Sequence, residues 1–256
     1  MDLPLSKSQI EKLGARLARD PQPSPEDLRA LHELLVVYGD VLADAVTRVP
    51  LGLAVRPTAR IKNTGTILEK LGRHGGSWLK SIQDLAGMRI VGDFDRGGQD
   101  QLVNRIVEVF RDEARPPKVI DRRAHPSHGY RAVHVVAFPD GIPVEIQVRT
   151  RWQHEWAELF EKLADRVGRD IRYGAPPRHW MTATERQECA ESDLYDAEYE
   201  RRRIAVELAR AVADVIAAFE LLELAQAPLL ELEPERLLVI GYLEDLHDRL
   251  DALREP

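Results

Sequence analysis

The stretch Ile142–Thr150 reads IPVEIQVRT. After the proline, Val144, Ile146 and Val148 alternate with Glu145, Gln147 and Arg149. A period of two sends successive side chains to opposite faces of a β-strand, so one face enters a core and the other stays open. On the open face stand a carboxylate, an amide and a guanidinium in a row, more than solubility asks for. The strand belongs to a sheet with chemistry on one side.

Upstream, Pro139, Asp140 and Gly141 are turn formers, and GYRAVHVVAF before them reads as a strand. The two runs therefore predict an antiparallel hairpin. On its first strand Tyr130, Ala132, His134 and Val136 share one face, and Arg131, Val133 and Val135 the other. Further back, GMRIVGDF and KVIDRR read as strands, and the helical period of QDQLVNRIVEVFRDEA between them makes a β-α-β unit.

Helices flank these strands. PSPEDLRALHELLVVYGDVLADAV starts with Ser24 as N-cap, Pro25 at the first position and acids in the first turn. A shorter helix covers Lys7 to Ala18. TGTILEKLG gives a third, ending at Gly72 before a glycine-rich loop at His74 to Ser77. After Thr150, WQHEWAELFEKLADRVG is helical, RYGAPPRHWM breaks the pattern, and two helices follow, around Asp193 to Ala225 and Pro234 to Leu253. The fold class is α+β: a mixed sheet of about five strands flanked by helices, with a C-terminal helical extension. Residues 1–50 are N-terminal helices packing on a central domain of residues 51–175, and residues 176–256 form the extension.

With 256 residues and 44% hydrophobic side chains, the chain can bury a core for one or two domains. Cys189 is its one cysteine, which excludes an internal disulfide and a multi-cysteine metal site and suits a reducing compartment. No apolar run approaches the roughly 18 residues of a membrane span, and Met1 to Ile10 lacks a signal-peptide core. A soluble cytoplasmic protein with no membrane partner is expected.

The net charge of −7 is uneven. Residues 188–256 carry 18 acidic and 7 basic side chains, leaving 25 acidic and 29 basic on residues 1–187. Arg56, Arg60, Lys62, Lys70 and Arg73 gather against one acid, Glu69, and Arg111 to Arg131 adds six basic residues against three acids. Compact basic clusters in an acidic chain suit a polyanion pocket rather than a broad nucleic-acid surface. Asp84 stands just before a strand that bears Arg89, and Glu145 stands on another. Taken singly, each of these residues, like Tyr130 and His134, has an ordinary structural explanation. Two carboxylates from different elements, set among arginines and lysines, suit Mg²⁺-assisted phosphoryl transfer.

RIKNTGTILEK, DLAGMRI, HGYRAVH and VEIQVRT, in this order and spacing, resemble the synthetase domain of the RelA/SpoT alarmone synthetases, from about Arg56 to Gly174. The resemblance implies a nucleotidyltransferase-like synthetase domain and, without large regulatory and hydrolase regions, a small single-domain synthetase. The dipeptide His247-Asp248 lacks the companions of a hydrolase metal site. The implied reaction moves the β,γ-diphosphate of ATP to the 3′-hydroxyl of a guanine nucleotide, GDP or GTP, giving (p)ppGpp and AMP.

The residue roles come with the resemblance. Arg60, Lys62, Lys70 and Arg89 would serve ATP: Arg60 by stacking on adenine or pairing with phosphates, Lys70 on the adenine side, Lys62 over the phosphates, Arg89 in support. Asp84 and Glu145 would be the catalytic carboxylates and the Mg²⁺ ligands. Tyr130 would stack on the acceptor base and His134 would touch its ribose or phosphate. Arg122, Arg123, Gln147 and Arg149 would complete the acceptor side, with Arg149 aimed at a phosphate or an acidic partner.

One departure matters. Guanine-specific relatives carry Lys-Pro-Asn before the Gly-Tyr, whereas this chain has HPSHGY, with Pro126, Ser127 and His128. That form resembles the toxic small alarmone synthetases of toxin–antitoxin modules, whose members modify adenine nucleotides (giving ppApp) or the 3′ CCA end of tRNA. The alternatives are therefore a (p)ppGpp synthetase, a toxic pyrophosphokinase checked by an antitoxin, and a non-catalytic nucleotide-binding module. Leu194, Ile204, Leu208, Val212, Val215 and Phe219 recur at helical spacing, so the C-terminal helices either pack on the sheet or offer an antitoxin or homo-oligomer surface.

Overall fold

Five strands form one sheet: β1 (Thr58–Ile61), β2 (Ala86–Gly92), β3 (Lys118–Asp121), β4 (Val133–Ala137) and β5 (Val144–Thr150). Their order across the sheet is β1-β2-β5-β4-β3, with β1 antiparallel to β2 and β4 antiparallel to β5. Among the described residues, seven α-helices accompany them: α1 (Lys7–Arg19), α2 (Pro25–Arg48), α3 (Thr64–His74), α4 (Arg96–Val109), α5 (Arg151–Val167), α6 (Asp193–Leu224) and α7 (Leu229–Ala252). This computed structural model describes residues 3–20, 22–49, 57–178 and 193–253. Arg56, Cys189 and the side chain of Leu194 lie outside the described residues.

The chain makes two compact units. The first comprises Met1–Val91, Gln101–Ile120 and Val133–Val148, and the second Gly92–Asp100, Asp121–Ala132 and Arg149–Pro256.

In the first unit the alternation of IPVEIQVRT becomes burial. Val144, Ile146 and Val148 are fully buried, as are Met88 and Ile90 of β2 and Val133 and Val135 of β4. The hairpin turns on Pro139–Gly141, where Asp140 and Gly141 both have positive φ and Gly141 N–H donates to the Phe138 carbonyl. Asp140 is one of the short polar residues that tolerate this region, and glycine enters it freely. Ser6 starts α1 with a capping box to Gln9, and Ser24 caps α2 through the Asp27 N–H.

Helix α1 lies against the 3-10 turn Gly76–Ser81 at near-backbone contact. A Cβ on Gly14 would overlap the Gly76 carbonyl oxygen and come within 2.7 Å of Leu79 Cβ. Neither obstacle is the end of a flexible side chain, so Gly14→Ala is expected to destabilise by about 1–3 kcal/mol, the usual cost of overpacking. A thermal melt checks this, and an unshifted Tm would refute the close packing.

The second unit is helical. Trp152, Trp156, Phe160 and Leu163 of α5 pack with Ala209, Val212, Ile216 and Phe219 of α6 and with Val239, Leu243, Leu246 and Leu250 of α7. Each large apolar side chain so buried contributes about 1.5–3 kcal/mol. Thr150 ends β5 and caps α5 at once, its hydroxyl accepting from Gln153 N–H while the Gln153 side chain returns to the Thr150 N–H. The strand therefore enters the helix without a loop.

Several boundaries differ from the sequence expectation. Strand β1 is not among the four strands named from the sequence, because TARI is a four-residue edge with an exposed pattern and no apolar alternation. Helix α3 runs to His74 and stops at Gly75, whose φ of 87° suits glycine. Helix α7 starts at Leu229 and keeps Pro234 inside it. Strand β4 begins at Val133, so Tyr130, Arg131 and Ala132 precede it.

Candidate active site

Residues directly opposite in an antiparallel pair share a face. His134 pairs with Gln147 and Val136 with Glu145, while Thr58 pairs with Arg89 and Arg60 with Gly87. Together with Asp84, the residues Thr58, Arg60, Gly87, Arg89, Glu145 and Gln147 line one pocket in the first unit. The open row of IPVEIQVRT thus supplies two of the pocket's residues.

Asp84 is the most constrained group there. Lys62 Nζ lies 2.6 Å from its Oδ2 and Lys70 Nζ 3.0 Å from its Oδ1. Lys62 is brought in by its own backbone, whose N–H donates to the Leu85 carbonyl. Lys70 comes from α3, which starts at the Asn63 cap. Burial alone would raise the Asp84 carboxyl, but the two lysines outweigh it and hold it below the usual carboxylate range.

Glu145 follows the same logic with His134 and Gln147 as its partners. His134 Nδ1 lies 3.0 Å from Oε1, and Gln147 Nε2 donates to Oε2 at 2.9 Å. Burial pushes its carboxyl up, while His134 and Gln147 pull it down and prevail against the nearby charge of Asp84. A deprotonated carboxylate has no hydrogen to give, so His134 Nδ1 is the donor in that contact.

The remaining sequence candidates belong to the second unit. Tyr130 closes a tight turn, its N–H donating to the Ser127 carbonyl, with His128 and Gly129 both at positive φ (51° and 95°). Its ring packs against the α5–α6–α7 core. Arg149, expected on the open face, is buried instead: its Nη2 donates to the Tyr130 hydroxyl at 3.0 Å and its guanidinium carbon lies 5.1 Å from the ring centroid. The alternation of burial ends at Val148: Arg149 and Thr150 finish β5 as two further buried residues, and Arg149 lies against the tyrosine. Arg123 is similarly engaged, with Asp121, Asp100 and Gln99 on its guanidinium. Arg122 is exposed.

Sequence reasoning passed over two features. Arg131 turns to α6, donating to the Ala213 carbonyl and pairing with Asp214. Glu220 is buried on α6, accepting from Thr150 Oγ1 and Gln153 Nε2. No periodicity announces contacts more than 60 residues apart. A glutamate at helical spacing from Ala213 and Ile216 was the available signal.

Comparison with known proteins follows the same strands. A family model described as a region found in RelA / SpoT proteins matches residues 59–164. Two curated proteins, Mb1401 of Mycobacterium bovis and Rv1366 of Mycobacterium tuberculosis, are each 38% identical over 179 residues, 68% of this chain. The chain spans 64% of the length of these curated relatives. Solved structures similar to the chain include the small alarmone synthetase 1 from Bacillus subtilis, at 21% identity, 77% of this chain, 98% of that one and a TM-score of 0.42. Another is smu.1046c from Streptococcus mutans, at 21% identity, 83% and 96% coverage and a TM-score of 0.38. The matched region begins in β1 and ends in α5, and it contains Arg60, Asp84, Arg89, His134, Glu145 and Gln147, so the chain carries a region of the kind found in RelA / SpoT proteins.

Proposed function

We propose that this chain is an ATP-dependent pyrophosphokinase that moves the β,γ-diphosphate of ATP to the 3′-hydroxyl of a purine nucleotide. The observation that carries the reading is one pocket holding two deprotonated carboxylates, Asp84 and Glu145, with Arg60 and Arg89 beside them and Lys62 and Lys70 on Asp84. A non-catalytic nucleotide-binding module would gain nothing from holding two carboxylates charged in a pocket meant for a triphosphate.

In this reading the 3′-oxygen bonds to the β-phosphorus, the bond from that phosphorus to the oxygen bridging the α-phosphate breaks, and AMP leaves. Lys62 and Lys70 leave Asp84 in part to meet the phosphates, and Arg60 and Arg89 neutralise further charge. Glu145 aligns the hydroxyl and receives its proton. A carboxylate held below its ordinary range is a weak base, so proton transfer comes late, which suits the loose transition state of phosphoryl transfer. His134 and Gln147 keep Glu145 aimed.

Mg²⁺ is the cofactor such chemistry calls for. Asp84 and Glu145 fit it: both are hard oxygen donors, both are charged, and both line the same pocket. Magnesium is commonly held by one or two carboxylates plus substrate phosphates rather than by an all-protein cage. When bound it would neutralise phosphate charge.

Tyr130 is the acceptor platform in this reading, with Arg149 against its ring and hydroxyl. Arg123 is left out of acceptor binding, because Asp121, Asp100 and Gln99 already occupy its guanidinium. Tyr130→Ala is expected to weaken every acceptor by roughly 5- to 150-fold, the equivalent of about 1–3 kcal/mol for one stacked base. Exchanging Ser127 or His128 should reorder the acceptors instead. Undiminished transfer by Tyr130→Ala would remove the platform.

The second reading, a toxic enzyme acting on adenine nucleotides or on the tRNA 3′ end and restrained by an antitoxin, is favoured by HPSHGY, which lacks the lysine and asparagine of guanine-specific relatives. Labelled ATP offered with GDP, GTP, ATP or deacylated tRNA separates the readings. Transfer to GDP or GTP is the expected result, and modification of tRNA alone would overturn it. A homo-oligomer or antitoxin would meet α7, where Leu230, Leu237 and Leu238 are exposed. No helix among the described residues is long and apolar enough to cross a membrane.

A further inference from the structure

Arg131 follows the acceptor tyrosine in the chain, and its guanidinium leaves the turn for helix α6. Nη1 donates to the Ala213 carbonyl at 2.8 Å and to the Gly129 carbonyl at 3.2 Å, and Nη2 pairs with Asp214 at 2.9 Å. The Ala213 carbonyl lies inside a helix, so its second lone pair is what the arginine uses. A planar guanidinium can bracket two carbonyls and a carboxylate at once, which an ammonium cannot. The Arg131 side chain is 12% exposed, so the bracket is an interior one although Asp214 is open to solvent.

The same turn meets α6 by a second route. Gly129 has φ 95°, and a Cβ there would lie 2.8 Å from Trp156 Cζ2 and 3.0 Å from Ala213 Cβ. Trp156 is itself locked to α6, its Nε1 donating to the Ala209 carbonyl at 2.6 Å. Ala213 therefore receives the turn twice, once through a charged hydrogen bond and once through close contact. Tyr130, the next residue, packs its ring on this helical core.

We infer that α6 is the positioning element of the acceptor side: through Arg131 it sets the pose of Tyr130, and with it acceptor affinity, while donor binding is left alone. The inference rests on Tyr130 as the acceptor platform. Arg131 is a positioning residue, since its own polar atoms are spent on Gly129, Ala213 and Asp214. Its donor counterparts, Arg60, Lys62, Lys70 and Arg89, all belong to the first unit.

The test compares Arg131→Ala, Arg131→Lys and Asp214→Asn in the full chain, with KM for ATP and for acceptor measured separately. Hydrogen exchange is followed in peptides covering residues 121–132 and 86–92. Misplacing a binding group by about 1 Å can cost up to roughly a hundredfold. Arg131→Ala is expected to raise acceptor KM about tenfold or more with ATP KM unchanged, and to speed exchange in 121–132 but not in 86–92. Arg131→Lys should recover part of the loss, and Asp214→Asn, which keeps the bonds to Ala213 and Gly129, should lose least. Faster exchange with an unmoved acceptor KM would overturn the inference, and so would both KM values rising together with a lowered Tm. If the wild-type chain transfers diphosphate to no acceptor, the pyrophosphokinase reading falls. The exchange arm then still decides whether Arg131 holds the turn, and unchanged exchange in 121–132 refutes it.

Discussion

Glu145→Gln is expected to lower diphosphate transfer by roughly 10²- to 10⁴-fold, the range over which a positioned proton acceptor acts, while the fold survives. The substitution keeps size and shape and removes the charge. His134 Nδ1 can still donate to the new amide oxygen, but the amide nitrogen then faces Gln147 Nε2, donor against donor, where the carboxylate accepted at 2.9 Å. Gln147 can turn its amide over to answer this, so the stability cost should stay near 1 kcal/mol, one modest hydrogen bond. Activity falls for another reason: an amide can neither receive the 3′-hydroxyl proton nor offset a cation. Acid sensitivity supplies an independent check. The Glu145 carboxyl is held low in the folded chain, so its stabilising share is present above the ordinary glutamate range and is lost as pH falls through the lowered folded value. The glutamine variant should therefore lose less stability on acidification than wild type. Labelled-ATP turnover and melts across pH read both effects, and near wild-type turnover would end the role given to Glu145.

What the sequence showed and what it hid divide along the range of the interactions. Alternation in IPVEIQVRT is local, and it located the buried Val144, Ile146 and Val148 and the pocket residues Glu145 and Gln147 without further help. It failed at Arg149, where the strand ends in a helix cap and tertiary packing under Tyr130 replaces the pleat. GYRAVHVVAF read as one strand from Gly129 onward. In the structure His128 and Gly129 take positive φ and form a turn, so Tyr130 is presented by that turn and not by the sheet. Strand β1 stayed hidden because an exposed four-residue edge has no apolar period. The pairing of Asp84 with Lys62 and Lys70 joins residues 22 and 14 positions apart. The bond from Lys62 N–H to the Leu85 carbonyl and the placement of Lys70 on α3 create it, and no spacing rule contains it.

That pairing makes Asp84→Ala the other large effect. The variant is expected to lose about 10³-fold in kcat, because charge neutralisation by a carboxylate-held metal is worth several kcal/mol in phosphoryl transfer. ATP KM should move the other way or not at all. In the wild-type chain Lys62 and Lys70 are both held on Asp84, at 2.6 and 3.0 Å, so nucleotide phosphates must compete with a carboxylate for them. Removing that carboxylate frees two cations for the phosphates while deleting one of the two proposed metal ligands. A kcat collapse with an unchanged or lowered ATP KM is thus the signature of Asp84 as ligand and counter-charge together, and raising Mg²⁺ should not restore the rate. Stability should suffer as well. The two ammonium groups would be left close together with nothing between them, a loss of about 1–2 kcal/mol for a pair only partly shielded from water. Since the Asp84 carboxyl is held low in the folded state, the wild-type advantage should shrink as the solution is acidified through that lowered value and the carboxyl protonates. A rise in ATP KM with kcat preserved would instead make Asp84 a mere donor-site spacer, and full activity in the alanine variant would remove it from the chemistry altogether.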